Sequence, residues 1–531
     1  MIKKILRTRF AFICFRKLNK IKYLRIFFRE NSKSKRVFLK NIQSYKVNHN
    51  KKFDNVLVQE VDHHRFTLKI GVVVKAFFEK KHVNVFSYSP NFNKRLGWID
   101  KYEKGYFFIF QNFTSRVYRQ MGYIKLFSLD DSYYKKKEVL NIFNSKYKNI
   151  KTINDLLNFE IEGIVIGDLI YDTYLRYFEK HTIKNIYDEN LKDLIYFTID
   201  NYFLIKHYIE KYCFKSLITT YASYTCHGLA VRICLEKKIP VYSVGDDGYM
   251  VKEITKEYPY SINHYWNYKF EKLDLDISDK INKQLTKRFT GHIDTALSYV
   301  KFSTFGTSSQ NINYFGNKKK RNVVVYVHDL YDSPHWIKKF LYNDYFEFIT
   351  ELCEQIKEDK QTRYYFKLHP NAIKGSNEII IEFLENLNLN SVTILPIEVK
   401  NNDIIVFNPD LVVTVNGTIG MEMAYFHIPV VALEDNLYMN FSFVHSCSTL
   451  KEFYSIVKGD ITPTINFDKD EILSFYYQAY IKDLLIFDKE LLPFLSSNGY
   501  ENLDDFLDEC NYAKELLFND SLVNKINSVL H

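Results

Sequence analysis

PDLVVTVNGTIGMEMAYFHIPVVAL, residues 409–433, contains the local pattern that decides the fold class. The apolar run LVVTV at 411–415 predicts a buried strand, the small residues of NGTIG at 416–420 predict a tight turn into a helix, and PVVAL at 429–433 predicts a second strand. In a strand–helix–strand unit the two strands pair in parallel, because the crossover helix returns the chain to the end of the sheet at which the first strand began.

The same unit recurs along most of the chain. Further strand-like runs, separated by segments of helical period, are NVLVQ (55–59), HVNVFSY (82–88), GIVIG (163–167), SLITTYA (216–222), IPVYSVG (239–245), VVVYVH (323–328), RYYFKL (363–368) and SVTILP (391–396). We therefore expect an α/β protein with two Rossmann-like, doubly wound domains that face a central cleft. The predicted divisions are a basic arm (1–45), an N-terminal domain (46–300), a linker (301–322), a C-terminal domain (323–467) and C-terminal helices (468–531).

The positive charge of the chain is concentrated at its N-terminus. Residues 1–36 contain 13 Lys and Arg and one acidic residue, which leaves 60 basic and 62 acidic side chains in the other 495 residues. The longest uncharged apolar run there, Phe10 to Phe15, is too short to span a bilayer. This arm predicts either a peripheral contact with the anionic inner face of the cytoplasmic membrane or a basic helix packed on the body. The near-neutral body argues against nucleic acid as a partner.

Cysteine usage points to the cytoplasm and away from a metal centre. Seven cysteines occur without a C-x-x-C pair or a neighbouring histidine at zinc-ligand spacing. We therefore predict neither a disulfide framework nor a bound metal, and the sequence suggests no other cofactor.

The turn at 416–420 predicts a phosphate site. Small residues bring backbone N–H groups to the start of a helix, where the helix dipole favours an anion. The residues concerned are Asn416, Gly417, Thr418 and Gly420. Glu422, further into the helix, is expected to accept a hydrogen bond from a ribose hydroxyl. The structural alternative is that the polar residues cap the helix and the glycines permit close packing.

Two further strand ends carry candidate donor-binding residues. In YYFKLHPN, Pro370 biases His369 away from helical geometry, so that the imidazole can donate to a leaving phosphate while Lys367 adds charge. The alternative is a hydrogen-bonded turn histidine. In YVHDLYDSPHW, His328 and Asp332 follow the first strand of the second domain and are candidates for binding the donor.

The first domain supplies the candidate base and acceptor residues. In VYSVGDDGYM, Asp246 and Asp247 form either a polar turn or a carboxylate pair that faces the cleft as general base. Weaker candidates for the acceptor side lie at the starts of helices or at four-residue spacing on one helical face, where an ordinary ion pair is the alternative. They are His64, Asp168, Asp172, Arg176 and His227.

These motifs resemble those of GT-B glycosyltransferases of bacterial capsule and surface polysaccharides, chiefly over residues 320–435. HDLYDSPHW, KLHPN and VNGTIGMEMAYFHIPVV carry the resemblance. Within that superfamily, the sialyl-, polysialyl- and Kdo-transferases that use CMP-sugars share a carboxylate-carboxylate-Gly motif, an HP motif and a Ser/Thr motif. This chain has Asp246-Asp247-Gly248, His369-Pro370 and Thr418 in that order, although Asn-Gly-Thr departs from the paired hydroxyl residues of many sialyltransferases.

The resemblance implies a metal-independent transferase with a nucleotide-sugar donor, a CMP-sugar being favoured. Asp247 or Asp246 would be the general base, and His369 would stabilise the departing phosphate. The acceptor would be a growing polysaccharide or a glycolipid. Two alternatives stay open: a sugar-nucleotide 2-epimerase of the same fold, and a non-catalytic polysaccharide assembly protein.

Overall fold

The protein is described by a computed structural model that covers residues 46–61, 64–90, 117–245, 251–260, 265–292, 303–306, 314–315, 319–337, 340–433 and 435–482, with side chains omitted for 64–69. Two six-stranded sheets organise these residues. The predicted fold class is confirmed: the chain forms two Rossmann-like α/β lobes.

The first lobe contains strands β1 (Asn55–Gln59), β2 (Asn84–Ser89), β3 (Ile124–Ser128), β4 (Glu160–Ile161), β5 (Ile164–Val165), β6 (Ser216–Thr219), β7 (Val241–Val244) and β8 (Val251–Ile254). Its helices are α1 (His64–Lys81), α2 (Lys136–Tyr147), α3 (Ile153–Leu157), α4 (Gly167–Phe178), α5 (Glu189–Tyr212) and α6 (Tyr224–Glu236). The sheet order is β3-β2-β1-β6-β7-β8, and all neighbours are parallel except β7 and β8.

The second lobe contains β9 (Arg321–Tyr326), β10 (Thr362–Lys367), β11 (Val392–Leu395), β12 (Leu411–Val413), β13 (Val430–Leu433) and β14 (His445–Cys447) in the order β11-β10-β9-β12-β13-β14, all parallel. Its helices are α8 (Tyr345–Ile356), α9 (Ser376–Leu387), α10 (Asn401–Phe407), α11 (Ile419–Tyr425), α12 (Leu450–Lys458) and α13 (Lys469–Tyr480). A 3₁₀ turn, Pro334–Trp336, lies in the connection between β9 and α8.

Alternation along the strands of the second sheet builds a core on both of its faces. Val324 and Val412 pack into one buried cluster, whereas Val323 and Val413 pack into the other. Successive side chains of a strand point to opposite faces, so apolar runs without polar alternation are what a sheet covered on both sides requires. This explains why VVVYV and LVVTV read as continuous apolar segments.

The two sheets share one topology, and it fixes where a ligand can bind. Counting strands along each lobe, the order is 3-2-1-4-5-6 in both, so the direction of winding reverses between β1 and β6 and between β9 and β12. Ligands of such sheets bind outside the carboxyl ends of the strands at this switch point.

Two local predictions differ from the structure. GIVIG at 163–167 is not a strand of the main sheet: Ile164–Val165 pairs only with Glu160–Ile161 in a small antiparallel hairpin. Gly167 already begins α4. Only glycine fits at this position, because a Cβ would lie 1.7 Å from the carbonyl oxygen of Leu156. The helix expected from about residue 335 begins at Tyr345, where the Asp344 side chain accepts from the amide of Glu347.

Side chains before the predicted linker already belong to the second lobe. Tyr265, Tyr268 and helix α7 (Leu275–Phe289) pack into the core formed by Val324, Val412 and α13.

Candidate functional site

His328 and Asn416 flank the switch point of the second sheet. His328 follows β9 and Asn416 follows β12, and the backbone N–H of Asn416 donates to Nε2 of His328 at 3.3 Å. Burial, with a smaller contribution from nearby His369, lowers the pKa of His328 to about 3. The imidazole is therefore neutral near pH 7, and because Nε2 accepts, its proton is on Nδ1.

The carboxamide of Asn416 has a buried donor that is not used within the described residues. Its Oδ1 accepts from the amide of Leu437 at 3.1 Å, which fixes the orientation of the side chain. Its Nδ2 is buried and contacts no hydrogen-bond acceptor among the described residues. A buried amide donor without an acceptor is costly, and such a group is often completed by a ligand or water.

The rest of the turn is more self-contained than the sequence predicted. The N–H of Gly417 donates to Oγ1 of Thr414 at 3.3 Å, and the hydroxyl of Thr418 donates to Oε1 of Glu422 at 3.1 Å. A Cβ on Gly420 would lie 2.5 Å from the ring of Tyr438. The absence of a side chain at position 420 thus serves close packing of α11 against that ring.

Glu422 forms a buried ion pair. Its carboxylate contacts the guanidinium of Arg288, whose Nε donates to Oε1 at 3.0 Å, and Asn401 donates to Oε2 at 3.3 Å. The Glu422 side chain is 1% exposed and that of Arg288 is 0% exposed. The carboxylate predicted to hold a ribose hydroxyl is therefore directed at a core cation from α7.

His369 lies at the end of β10, the strand beside β9. Burial lowers the pKa of its imidazole, despite the nearby carboxylates of Asp329 and Asp332. Its Nδ1 is buried and makes no hydrogen bond within the described residues, while its carbonyl accepts from Asn377 at 2.9 Å. A neutral imidazole of this kind can donate one N–H to an anion.

Lys367 and a cavity lie next to His369. The ammonium of Lys367 donates to the carbonyl of Ile397 at 3.2 Å, and burial lowers its pKa to about 8. A cavity of about 590 Å³ is lined by Leu368, Pro370, Ala372, Ile373, Lys374, Asn377, Glu378, Ile381, Glu385, Ile394, Leu395, Pro396 and Ile397. It is of a size that small-molecule sites commonly have.

Asp332 joins the two lobes beside His369. Its Oδ1 accepts from the hydroxyl of Tyr224 at 3.3 Å and from the amide of Ser333 at 3.0 Å. Burial raises the pKa of Asp332, and the cation of Arg176 opposes that rise. Arg176 lies over the ring of Tyr224. Burial lowers the pKa of its guanidinium, but Tyr224, Asp332 and Asp329 outweigh burial, and the net pKa is raised. The first lobe thus contributes a cation beside the acidic group next to His369.

A buried acid–imidazole pair crosses between the lobes. Nδ1 of His335 donates to Oδ1 of Asp172 at 2.5 Å, and the hydroxyl of Tyr171 donates to Asp344 at 2.6 Å. Burial raises the pKa of Asp172 to about 6 although His335 opposes the rise. Burial lowers the pKa of His335, but Asp172 outweighs it and the net pKa is raised.

Asp168 and Asp172 are on one face of α4, as predicted, but they contact different partners. Asp168 forms a bidentate pair with Arg232 of α6, in which Nη1 donates to Oδ1 at 2.6 Å. Neither carboxylate is bonded to Arg176 in the described part of the chain. The four-residue spacing therefore places the two aspartates on the same face of α4, but Asp168 forms its ion pair with Arg232 of α6 and not with Arg176.

The switch point of the first sheet carries a polar trio. Gln59, the last residue of β1, accepts from Oγ1 of Thr219 at 3.0 Å, and its Oε1 lies 2.7 Å from Nδ1 of His227. Burial lowers the pKa of His227 to about 4. The predicted residue His227 thus lies beside the carboxyl ends of β1 and β6. The sequence analysis did not select its neighbours there, Gln59 and Thr219.

Three predicted site residues cannot be compared with the structure in this way. Asp246 and Asp247 lie outside the described residues, directly after β7 and Gly245. His64 is the first residue of α1, and its side chain lies outside the described set.

Sequence reasoning missed the partners that complete the site. Arg288, Arg232 and Gln59 are 134, 64 and 168 residues from the groups they contact, and their local patterns are ordinary. His335 offered a signal, because it stands beside Ser-Pro in the same polar loop as His328 and Asp332. Only the fold brings it to Asp172.

Several solved structures are similar to this chain, all at low sequence identity and low TM-score. A Thermosulfurimonas dismutans KpsC beta Kdo 2,4 transferase is 14% identical, with 50% of this chain and 79% of that chain covered and a TM-score of 0.34. A Listeria monocytogenes protein described as a UDP-N-acetylglucosamine 2-epimerase is 12% identical, with 85% of this chain and 99% of that chain covered and a TM-score of 0.26. The Neisseria meningitidis UDP-GlcNAc 2-epimerase bound to UDP-GlcNAc is 12% identical, with 88% and 100% covered and a TM-score of 0.23.

No protein-family model and no curated protein sequence matches the chain. The likeness to these transferase and epimerase structures concerns the fold alone.

Proposed function

We propose that the protein is a metal-independent glycosyltransferase that moves a sugar from a nucleotide-sugar donor, with a CMP-sugar favoured, to a surface polysaccharide or glycolipid. The observation that supports the proposal most directly is the position and state of the His369 imidazole. Its neutral imidazole stands at a strand end beside the switch point, with a buried Nδ1 that is not hydrogen-bonded within the described residues.

The proposed donor site lies along the carboxyl ends of β10, β9 and β12, which are adjacent strands. His369, His328 and Asn416 occupy those ends, and two of these residues bury a nitrogen that lacks a described partner. A nucleotide phosphate offers acceptor oxygens for such nitrogens. In this proposal the Nδ2 of Asn416 contacts the phosphate, and the remaining turn, including Gly417 and Thr418, shapes its approach.

The proposed chemistry needs stabilisation of the leaving group and a base. As the glycosidic bond to phosphate breaks, negative charge develops on the phosphate oxygen, and a hydrogen bond from His369 strengthens there. Arg176 is the nearby cation from the other lobe. We assign proton removal from the acceptor hydroxyl to Asp247 or Asp246, which follow β7 in the sequence.

Membrane association belongs to the same proposal. No helix in the described part of the chain is long and apolar enough to cross a bilayer. The basic segment 1–36 is proposed to hold the enzyme at an anionic inner membrane, near a lipid-linked acceptor.

The test compares wild type with His369→Ala and His369→Gln on a panel of CMP-, UDP- and GDP-sugars. We expect release of one free nucleotide, a loss of turnover of about 100-fold or more in the alanine variant as for other donors to a developing charge, and a smaller change in nucleotide affinity. Wild-type turnover in both variants would remove His369 from the mechanism.

The two other functions give different products in the same assay. A 2-epimerase would convert the sugar nucleotide into its epimer without acceptor, and a non-catalytic protein would leave every donor intact. Either result, obtained with folded wild-type protein, would overturn the transferase proposal.

A further inference from the structure

A second cluster of ligand-type side chains lies at the edge of the second sheet. His445 and Cys447 are two residues apart on β14, so they occupy the same face of that strand. Glu452 belongs to the first turn of α12, which follows the strand after a short turn. One nitrogen, one sulfur and one oxygen from these three residues lie within 4.8 Å of one another.

Backbone groups hold two of these side chains in orientations suited to a metal ion. Nδ1 of His445 lies 3.2 Å from the carbonyl oxygen of Thr464, and Nε2 lies 3.1 Å from Oε1 of Glu452. The other carboxylate oxygen of Glu452 accepts from the amide of Ser448 at 3.1 Å. With its proton on Nδ1, His445 would donate to that carbonyl, as histidine ligands commonly do, and its Nε2 would be available to a metal.

We propose that Nε2 of His445, Sγ of Cys447 and a carboxylate oxygen of Glu452 form a site for a divalent ion of the zinc class. The fourth position would be taken by water. A thiolate and an imidazole favour zinc or cobalt over magnesium or calcium, which prefer oxygen ligands.

The spacing is close to what such an ion needs. Tetrahedral zinc with bonds of about 2.0–2.3 Å sets its ligand atoms about 3.3–3.6 Å apart. The His445–Glu452 pair is already at 3.1 Å, and the largest separation in the group is within 4.8 Å. An adjustment of about 1 Å therefore brings the three ligand atoms to the spacing of a zinc site. His445 and Glu452 are 18% and 35% exposed, which gives an ion a path from solvent.

The same contacts also define a metal-free state, and the two states are chemically distinct. Without metal, Nδ1 of His445 accepts from the amide of Thr464 at 3.1 Å and Nε2–H donates to Glu452. The Cys447 sulfur is then a thiol. Metal binding replaces the thiol proton and moves the imidazole proton to Nδ1.

A metal there would stabilise the edge of the lobe. β14 has three residues and pairs with β13 through Val431–His445, Ala432–Ser446 and Leu433–Cys447. An ion shared by β14 and α12 would fasten this short strand to the helix that follows it. This role is independent of the proposed transferase chemistry, and its test does not use enzymatic activity.

The experiment uses the full chain after treatment with a chelator, with Zn²⁺ and Co²⁺ as the probes. Bound zinc is counted after equilibrium dialysis, thermal unfolding is recorded with and without zinc, and the cobalt form is examined for a thiolate-to-cobalt absorption band. Cys447→Ser and Glu452→Gln remove one ligand each. Cys353→Ser is the matched control, because Cys353 is buried in the same core cluster but lies outside the ligand group.

We expect one tightly bound zinc per chain, a rise in unfolding temperature with zinc, and a thiolate band with cobalt in the wild type and in Cys353→Ser. Cys447→Ser should lose the band and bind zinc at least about 100-fold more weakly, beyond the effect usual for a lost outer-shell contact. Glu452→Gln retains an acceptor for the Ser448 amide, so it should stay folded and bind zinc more weakly. Zinc binding that is absent, or unchanged in Cys447→Ser, would overturn the proposal.

Discussion

Replacing Glu422 by alanine is expected to destabilise the second lobe by about 3–5 kcal/mol, the usual cost of removing one partner of a buried ion pair. Arg288 is fully buried, and Glu422 receives hydrogen bonds from Arg288, Thr418 and Asn401. The matched control, Thr418→Val, removes one hydroxyl from the same carboxylate and should cost about 1 kcal/mol.

A double variant separates the charge from the packing. Arg288→Met with Glu422→Leu buries apolar groups of similar volume in place of the pair, and such exchanges are often neutral or stabilising. We therefore expect the double variant to recover most of the stability that Glu422→Ala loses.

Urea unfolding followed by tryptophan fluorescence provides the measurement. Trp266 and Trp336 pack against the core that contains this ion pair, so their emission reports on the second lobe. Because the protein has two lobes, their transitions are fitted separately. A loss below about 1 kcal/mol in Glu422→Ala, far under the range for a broken buried pair, together with weaker nucleotide binding, would refute the structural role and favour the ribose contact.

Three further predictions concern other parts of the molecule. The pKa of Asp172 is raised to about 6 and that of His335 is also raised, so the folded state binds protons more tightly than the unfolded state. The pair therefore makes the free energy of unfolding fall as pH rises from about 4 past 6.5. Asp172→Asn should reduce this pH dependence, and equal pH slopes of the urea midpoints of the two proteins would contradict the prediction. Gly420→Ala should lower the free energy of unfolding by about 1–3 kcal/mol, because the new methyl group would overpack against Tyr438. Gly417→Ala should lower it less, because its Cβ would lie 3.3 Å from the nearest atom. Equal urea midpoints for the two variants would contradict this prediction. Deletion of residues 1–36 should release the protein from vesicles containing anionic lipid, and wild-type binding should weaken with salt; undiminished sedimentation of the truncated protein with vesicles would exclude the arm as the anchor.

The sheets were accessible from the sequence because their signal is local. Continuous apolar runs such as VVVYV and LVVTV indicate strands that are buried on both faces. The residues that follow these runs lie at the carboxyl ends of the strands. His328, His369 and Asn416 were found in this way, since a polar residue directly after a buried strand is visible in the sequence.

What the sequence could not provide was the identity of distant partners. Glu422 was assigned to a ribose because its helix position was known, while Arg288, 134 residues earlier, gave no sign that it would be buried beside it. Asp172 and His335 meet only because α4 of one lobe packs on the 3₁₀ turn of the other. Pairings across lobes depend on tertiary packing, which local periodicity does not encode.

The central claim is that the carboxyl ends of β9, β10 and β12 receive the phosphate of a nucleotide-sugar. A crystal structure of the full chain with a bound nucleotide tests this most directly. We expect phosphate oxygens within hydrogen-bond distance of Asn416 Nδ2 and the His369 imidazole. A nucleotide bound elsewhere, with these two groups still enclosed by protein side chains, would contradict it.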